Sequence, residues 1–224
     1  MNLDLRVFTA ILWKDLLIEV RAKEVLAPVA TFALLMVLVF NFGFEIDTGR
    51  GRDVAPAALW LAFILGGLLG FGRAFQLERE QGALDAMLLA PVDRSTVYLA
   101  KLAVNVIILL GVEVILVPAF GLLFDLPVLR PGVLLTLALG TIGYASLGTL
   151  YASGMANLRS REVALPLLVL PAMIPLVIAV VEATAEAMGV SPDSGRPWWA
   201  LILAFDAVFV VLSAALFGSL VKDT

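Results

Sequence analysis

The chain contains no cysteine and no histidine among its 224 residues. Without cysteine it forms no disulfide, no thiolate metal site and no cysteine nucleophile. Without histidine it lacks the commonest general base and metal ligand of proteins. The sequence also has neither a Walker A motif nor a nucleophile–base pair. We therefore expect no catalytic site and no enzyme activity in this chain alone.

Charged residues are scarce as well. They make up 15% of the chain, whereas 62% of its residues are hydrophobic and its mean hydropathy is +1.04. A soluble domain of this length would be about half apolar and about a quarter charged. We therefore expect lipid to be the solvent for much of the surface. The net charge of -4 is small and dispersed, which gives no reason to expect nucleic-acid binding.

Six apolar segments are long enough to cross a hydrocarbon core of about 30 Å as helices. Charged and turn-forming stretches separate these segments. Three prolines in the fifth segment, Pro166, Pro171 and Pro175, each remove a backbone donor and are able to kink a helix. We predict an all-α, polytopic membrane protein whose six transmembrane helices run approximately over Val25–Phe44, Val54–Gly72, Val97–Phe124, Gly132–Ala156, Val163–Val181 and Trp198–Leu220.

The distribution of lysine and arginine predicts the orientation of these spans, because cytoplasmic loops carry an excess of basic residues. Eleven of the 15 basic residues fall on the side that holds both termini and the loops after the second and fourth spans. The other side holds the remaining four: Arg50, Arg52, Arg130 and Arg196. Both termini are therefore predicted to be cytoplasmic.

Residues 1–24 form a separate amphipathic segment before the first span. Asp15, Glu19 and Glu24 interrupt it and no short apolar region follows a basic start, so it is not a signal peptide. Two interpretations remain open: a helix in the cytoplasmic interface with Trp13 at headgroup level, or a helix packed on the rest of the protein. The residues that recur at helical spacing are Leu5, Thr9, Leu12, Trp13, Leu16 and Val20.

Small residues occupy every fourth position of the second span, which predicts close packing against another helix. They are Ala62, Gly66, Gly70 and Ala74.

Two carboxyl groups, Glu113 in the third span and Asp206 in the sixth, lie near the middle of their spans. A carboxyl group there is costly unless it is protonated or partnered. Each could serve a substrate pathway or a proton step. Alternatively, each could hold helices together by a hydrogen bond, for instance with Asn105 or a threonine.

The loop after the second span, Leu77–Ser95, is the most charged stretch of the chain. The second span can continue as helix as far as Gln81, and Gly82 then terminates it. A short helix is predicted at about 83–90, ended by Pro91 because a residue before proline disfavours the helical conformation. Asp93 or Ser95 would cap the third span.

This short helix has one apolar face. Leu84, Met87 and Leu88 stand at positions i, i+3 and i+4, whereas Asp85 lies off that face. Such a helix docks into a groove on another protein, or alternatively folds back on the bilayer surface.

The segment from Glu78 to Lys101, EREQGALDAMLLAPVDRSTVYLAK, resembles the E-R-E-x-G-x-L-x-x-L-L-x-x-P-x-x-R segment of ABC-2-type transporter membrane subunits. The whole chain is similar to the CcmB family, the permease subunits of the cytochrome c maturation (haem exporter) ABC complex. A second stretch, LGTIGYASLGTLYASGMANLRSREVALPLLVLPAMIPLVI, also carries this similarity. The resemblance implies an ABC-2/type V exporter-like fold and a coupling helix that meets an ATPase through Glu78, Arg79, Glu80, Gly82, Leu84, Asp85, Met87, Leu88, Pro91 and Arg94.

The resemblance further implies a location in the bacterial inner membrane and a set of partners. These are a cytoplasmic ABC ATPase subunit (CcmA-like), a second copy of this chain, a haem-handling membrane subunit (CcmC-like), a small membrane subunit (CcmD-like), a periplasmic haem chaperone (CcmE-like) and membrane lipid. ATP and magnesium would bind the ATPase. Haem would bind partner subunits, because a chain without histidine or cysteine is a poor ligand for haem iron.

The implied function is to couple ATP hydrolysis in the partner to haem export, or to release of the haem-loaded chaperone. A generic ABC-2 exporter half for a lipid, drug or glycan is the first alternative. A membrane scaffold or receptor without an ATPase partner is the second. The predicted organisation is an interfacial helix at residues 1–24 and a transmembrane domain at 25–224 that carries the coupling helix.

Overall fold

The structure is a computed structural model that describes residues 3–43, 50–80, 93–155 and 161–220. Only the helix backbone is described at residues 3, 50, 73–80, 161–163 and 219–220. The described residues form eight α-helices and no β-strand. In chain order these are α1 (Leu3–Ala22), α2 (Leu26–Gly43), α3 (Arg50–Glu80), α4 (Arg94–Phe124), α5 (Pro131–Gly154), α6 (Arg161–Ala172), α7 (Ile174–Met188) and α8 (Trp198–Leu220).

Five of these helices, α2, α3, α4, α5 and α8, are each long and apolar enough to cross a membrane. The bent pair α6 and α7 is the sixth candidate span, and its two ends lie near opposite ends of α5. Six residues separate the end of α5 from the start of α6, whereas Arg130 at the start of α5 donates a hydrogen bond to the carbonyl of Ala187 at the end of α7 (3.2 Å). The predicted all-α, polytopic membrane fold is confirmed.

The fifth predicted span, Val163–Val181, consists of two helices, in agreement with the kink that its prolines allow. The chain bends there by 61° between α6 and α7. Pro175 lies in the first turn of α7, where its missing N–H removes no helical hydrogen bond, so a new helix starts there. Helix α7 then continues past Val181 to Met188 and ends at Gly189, which adopts the left-handed conformation (φ 76°). The predicted span stopped early because Glu182 and Glu186 interrupt the apolar run.

Helices α3 and α5 form the interior of the bundle. The apolar windows of both are 72% buried, against 22% for α2 and 28% for α8. Aromatic rings of α3 fill the space between them: Phe63 and Phe71 both meet Tyr144 edge-on. Gly148 makes room for Phe71, because a Cβ at that position would overlap the ring. A helix that is buried on nearly all sides has apolar or small residues all around its circumference, as α5 does.

Helix α2 packs against α3 along the row of small residues in the second span. A Cβ on Gly66 would lie 3.2 Å from the carbonyl oxygen of Val29, and one on Gly70 would lie 2.9 Å from its Cγ2. Ala62 is fully buried, and the side chain of Ala74 lies outside the described residues. Close approach lets van der Waals contact hold helices together where lipid offers no hydrophobic drive.

Helix α1 packs on α4 with one face and leaves another face uncovered. Ile11 is buried in the core, whereas Trp13 and Val20 are 72% and 71% exposed. The packed-helix interpretation therefore describes one side of α1. The uncovered side contains most of the predicted apolar row, and its contact with the membrane interface stays a prediction.

Candidate functional site

The predicted docking segment, Glu78–Arg94, joins α3 to α4 and includes the last residues of α3 and the first residue of α4. Helix α3 continues for eight residues beyond Gly72, the predicted end of the second span, which is about 12 Å of helix. The helix thus runs through Glu78, Arg79 and Glu80, whose side chains lie outside the described residues. The rest of the segment also lies outside them, including Gly82, Leu84, Asp85, Met87, Leu88 and Pro91.

The far end of the docking segment is held by two side chains. Asp93 caps α4, because its carboxylate accepts a hydrogen bond from the backbone N–H of Ser95 (3.0 Å). Arg94 then reaches α8, where its Nη1 donates to the carbonyl of Gly218 (2.7 Å). A guanidinium near the last turn of a helix also stabilises the negative end of the helix dipole. The start of α4 is therefore bound to the end of α8.

A buried ion pair binds the same end of α4 to α1. Lys101 Nζ lies 2.5 Å from Asp15 Oδ2, and the two side chains are only 3% and 10% exposed. Lys14 approaches the other carboxylate oxygen (2.8 Å) but is 43% exposed. Lys101 stands seven residues after Arg94, so both lie on nearly the same side of α4. Removing one member of such a pair would leave an uncompensated charge in a medium of low polarity.

Glu19 connects α1 to the start of α2. Its Oε1 accepts hydrogen bonds from the backbone N–H groups of Val25 (3.1 Å) and Leu26 (2.6 Å). Lys23, in the turn between the two helices, adopts a positive φ of 52°. Together with the contacts of Arg94 and Lys101, this arrangement gathers α1, α2, α4 and α8 at one end of the bundle, next to the docking segment.

Hydrogen bonds between buried side chains join α4 to α5 within the membrane region. The Thr141 hydroxyl donates to Glu113 Oε1, and Asn105 donates to Thr149 Oγ1 (2.8 Å). Tyr98 adds a third bond, from its hydroxyl to the carbonyl of Ser146. Glu113 therefore holds a partner on the neighbouring helix.

Asp206 has a different environment. It is buried, yet neither carboxyl oxygen has a hydrogen-bond partner among the described residues. It lies against Gly143 of α5, where a Cβ would overlap Oδ1. Gly143 and Thr141 are two positions apart, which places them about 200° apart around the helix. Helix α5 thus stands between Asp206 and Glu113, and the structure does not bring these two carboxyl groups together.

The similarity to known proteins covers nearly all of these helices. A family profile described as "CcmB protein" matches residues 6–222. The chain belongs to the CcmB family. A relative named "Heme exporter protein B", from Paracoccus denitrificans (strain Pd 1222), is 31% identical over 209 residues, which cover 92% of this chain and 95% of the relative.

Two further CcmB relatives carry the same name. The protein of Rhodobacter capsulatus is 33% identical over 173 residues, covering 75% of this chain and 78% of the relative. The protein of Pseudomonas aeruginosa is 27% identical over 194 residues, covering 86% of this chain and 87% of the relative. The family match over residues 6–222 extends across the docking segment and the bent pair.

Sequence reasoning missed the contacts that hold this CcmB chain together at the docking end. In the sequence, Asp15 and Glu19 are only charged interruptions of the N-terminal segment, and Lys101 is only a basic residue at the end of the CcmB-like segment. A sequence signal was present, since a lysine inside an apolar span requires a partner. The identity of that partner was not readable, because Asp15 lies 86 positions away in the chain. The bond from Trp60 Nε1 to the Thr184 hydroxyl (2.9 Å) was missed for the same reason.

Proposed function

We propose that this CcmB chain is the permease subunit of a haem-exporting ABC transporter of the bacterial inner membrane that acts in c-type cytochrome biogenesis. The observation that carries the proposal is the family match over residues 6–222, together with relatives named "Heme exporter protein B" that align over most of both chains. A separate ATPase hydrolyses ATP. This chain couples that hydrolysis to haem export or to release of the haem-loaded periplasmic chaperone.

The coupling surface is the segment between α3 and α4. The apolar face of Leu84, Met87 and Leu88 docks into a groove of the ATPase, and the flanking charges fix its register. The helices on either side of the segment support this role, because the segment is continuous with both α3 and α4. A displacement of the segment acts on α4, and Arg94 and Lys101 share that displacement with α8 and α1.

Haem binds partner subunits rather than this chain. The chain offers no histidine or cysteine, and two of its three tyrosines are already engaged. Tyr98 donates its hydroxyl to the Ser146 carbonyl, and Tyr144 donates to the Ile64 carbonyl (2.6 Å), both within the core. These contacts support a mechanical role, in which the permease passes movement from the ATPase to a haem-bearing partner.

The proposed complex contains six kinds of component. The ATPase is CcmA-like and carries ATP and magnesium, and a second copy of this chain completes the permease. The haem-handling membrane subunit is CcmC-like and is accompanied by a small CcmD-like subunit. A CcmE-like periplasmic chaperone receives haem, and membrane lipid surrounds the whole assembly.

Deleting the gene for this chain is expected to abolish covalent attachment of haem to c-type cytochromes, because the haem-loaded chaperone would not be supplied or released. Haem staining of membrane and periplasmic proteins after gel electrophoresis measures this loss. The b-type cytochromes serve as the control, since their haem is not covalently attached, and their amount should stay unchanged. Normal haem staining of c-type cytochromes in the deletion strain would refute the proposal and favour a generic exporter or a scaffold.

Glu113→Gln is expected to preserve both assembly and cytochrome c formation, because a glutamine oxygen accepts the same hydrogen bond from Thr141. Glu113→Leu removes the acceptor and should lower the free energy of unfolding by about 1 kcal/mol. Membrane abundance and thermal unfolding in detergent measure the assembly and stability of each variant. Haem staining measures the formation of c-type cytochromes. A glutamine variant that assembles normally but forms no c-type cytochrome would show that the carboxyl group has a role in transport.

A further inference from the structure

An open cavity of about 740 Å³ lies at the end of the bundle opposite the docking segment. It is formed where α5 and α8 begin and α7 ends. Its charged and aromatic lining consists of Arg130, Glu186, Asp193, Arg196, Trp198 and Trp199.

The cavity stands at the boundary of the membrane. Two of the crossing helices begin there, α5 at Pro131 and α8 at Trp198. Tryptophan pairs of this kind are enriched at the interface between hydrocarbon and water. Leu134 and Leu201 in the first turns of these helices are exposed, so both helices carry exposed apolar surface close to the cavity in the chain.

The two arginines of the cavity have no carboxylate partner within ion-pair distance among the described residues. Arg130 uses Nη1 to donate to the Ala187 carbonyl (3.2 Å), which leaves its other N–H groups for a ligand. The guanidinium of Arg196 stacks on the ring of Trp198, 5.5 Å from its centroid. By contrast, Arg52 on the same side of the bundle pairs with Asp125 (2.8 Å).

The acidic residues of the cavity accept hydrogen bonds from the loop between α7 and α8 and from the first residue of α8. Glu186 Oε1 accepts hydrogen bonds from the backbone N–H and the hydroxyl of Ser194 (3.0 and 2.6 Å) and from Trp198 Nε1 (3.0 Å). Asp193 Oδ1 accepts from the backbone N–H of Gly195 (2.8 Å). The cavity thus holds two cationic and two anionic side chains, and the arginines supply its unpaired charged N–H donors. The N-terminal ends of α5 and α8 add positive potential, whereas the C-terminal end of α7 adds negative potential. The free N–H groups of the two arginines can bind an anion beside these carboxylates.

We propose that the cavity binds the phosphate group of a membrane phospholipid. Arg130 and Arg196 donate to the phosphate oxygens, because guanidinium groups match phosphate geometry and bind it with charge-assisted hydrogen bonds. The acyl chains lie on the exposed apolar surface of α5 and α8. The apolar surface and the boundary position favour a lipid over free phosphate, which needs neither. The proposal is independent of the transport function, since it concerns the end of the bundle remote from the ATPase.

Native mass spectrometry of the full-length chain in detergent tests this proposal, with dioleoyl phosphatidylglycerol as the probe. The double substitution Arg130→Gln and Arg196→Gln is expected to weaken binding of one lipid molecule by about tenfold or more, since each lost bond involves a charged donor. Arg52→Gln is the matched control, because it removes an arginine from the same side of the bundle outside the cavity, and its lipid binding should equal that of the unmodified chain.

Four outcomes would overturn the proposal. Equal lipid binding by the double variant and the control excludes the two arginines as the binding groups. Equal binding of dioleoylglycerol, which lacks phosphate, excludes phosphate recognition. Displacement of the lipid by an equal concentration of inorganic phosphate identifies free phosphate as the ligand instead. If the double variant fails to fold, Arg196→Gln alone decides, because Arg196 is exposed in a loop, and unchanged binding by that variant overturns the proposal.

Discussion

Leu84→Asp or Leu88→Asp is expected to detach the ATPase from the permease while leaving the permease inserted in the membrane. Each substitution places a carboxylate on the apolar face that docks into the partner groove, where an unpaired charge is strongly unfavourable. Since about 1.4 kcal/mol is a tenfold change in affinity, a penalty of several kcal/mol lowers the affinity by about a hundredfold or more. The ratio of ATPase to tagged permease recovered from detergent extracts measures the loss, and haem staining should show the loss of c-type cytochromes.

Ala86→Asp is the matched control for the docking face. Position 86 lies two residues from Leu84 and Leu88 and therefore on the opposite side of the predicted short helix. The same charge is added there without entering the groove, so the ATPase should be recovered in normal amount. Unchanged ATPase recovery in both leucine variants would reject the docking surface. Equal loss in all three variants would mean that the segment does not dock as a helix with one apolar face.

Lys101→Met is expected to lower the free energy of unfolding by about 3–5 kcal/mol, because it leaves Asp15 as a buried carboxylate without its principal partner. The double variant Asp15→Asn and Lys101→Met should recover much of this loss, since it removes both charges. A double-mutant cycle in detergent, followed by denaturant unfolding, measures the interaction between the two residues.

Lys14→Met provides the control for the ion pair. It removes the partly exposed lysine that contacts the same carboxylate, and such a contact contributes at most about 1 kcal/mol. A loss with Lys101→Met no greater than with Lys14→Met would contradict a buried, structurally dominant pair. If the Lys101 variant is stable but c-type cytochromes are lost, the pair acts in coupling rather than in assembly.

The docking face of Leu84, Met87 and Leu88 is the part of the proposed site that is predicted from the sequence alone. Local rules predict this face, because Gly82 and Pro91 limit the short helix and the apolar residues recur at helical spacing. Its residues lie outside the described structure. The continuation of α3 through Glu80, by contrast, was predicted from the sequence and is confirmed. The sequence predicts Asp93 or Ser95 as the cap of α4, and the structure assigns this role to Asp93. Local rules give such caps well because donor and acceptor lie within a few positions.

The sequence by itself determined that this is an all-α, polytopic membrane protein whose chain contains no histidine and no cysteine. Length and apolarity of a segment decide whether it crosses a membrane, and both are local properties that the residues state directly. Only the tertiary structure decided that Lys101 pairs with Asp15, that α5 separates Glu113 from Asp206, and that Arg130 and Arg196 meet at one cavity. These outcomes depend on how each helix is rotated and packed against its neighbours, and residues distant in the chain set that rotation together.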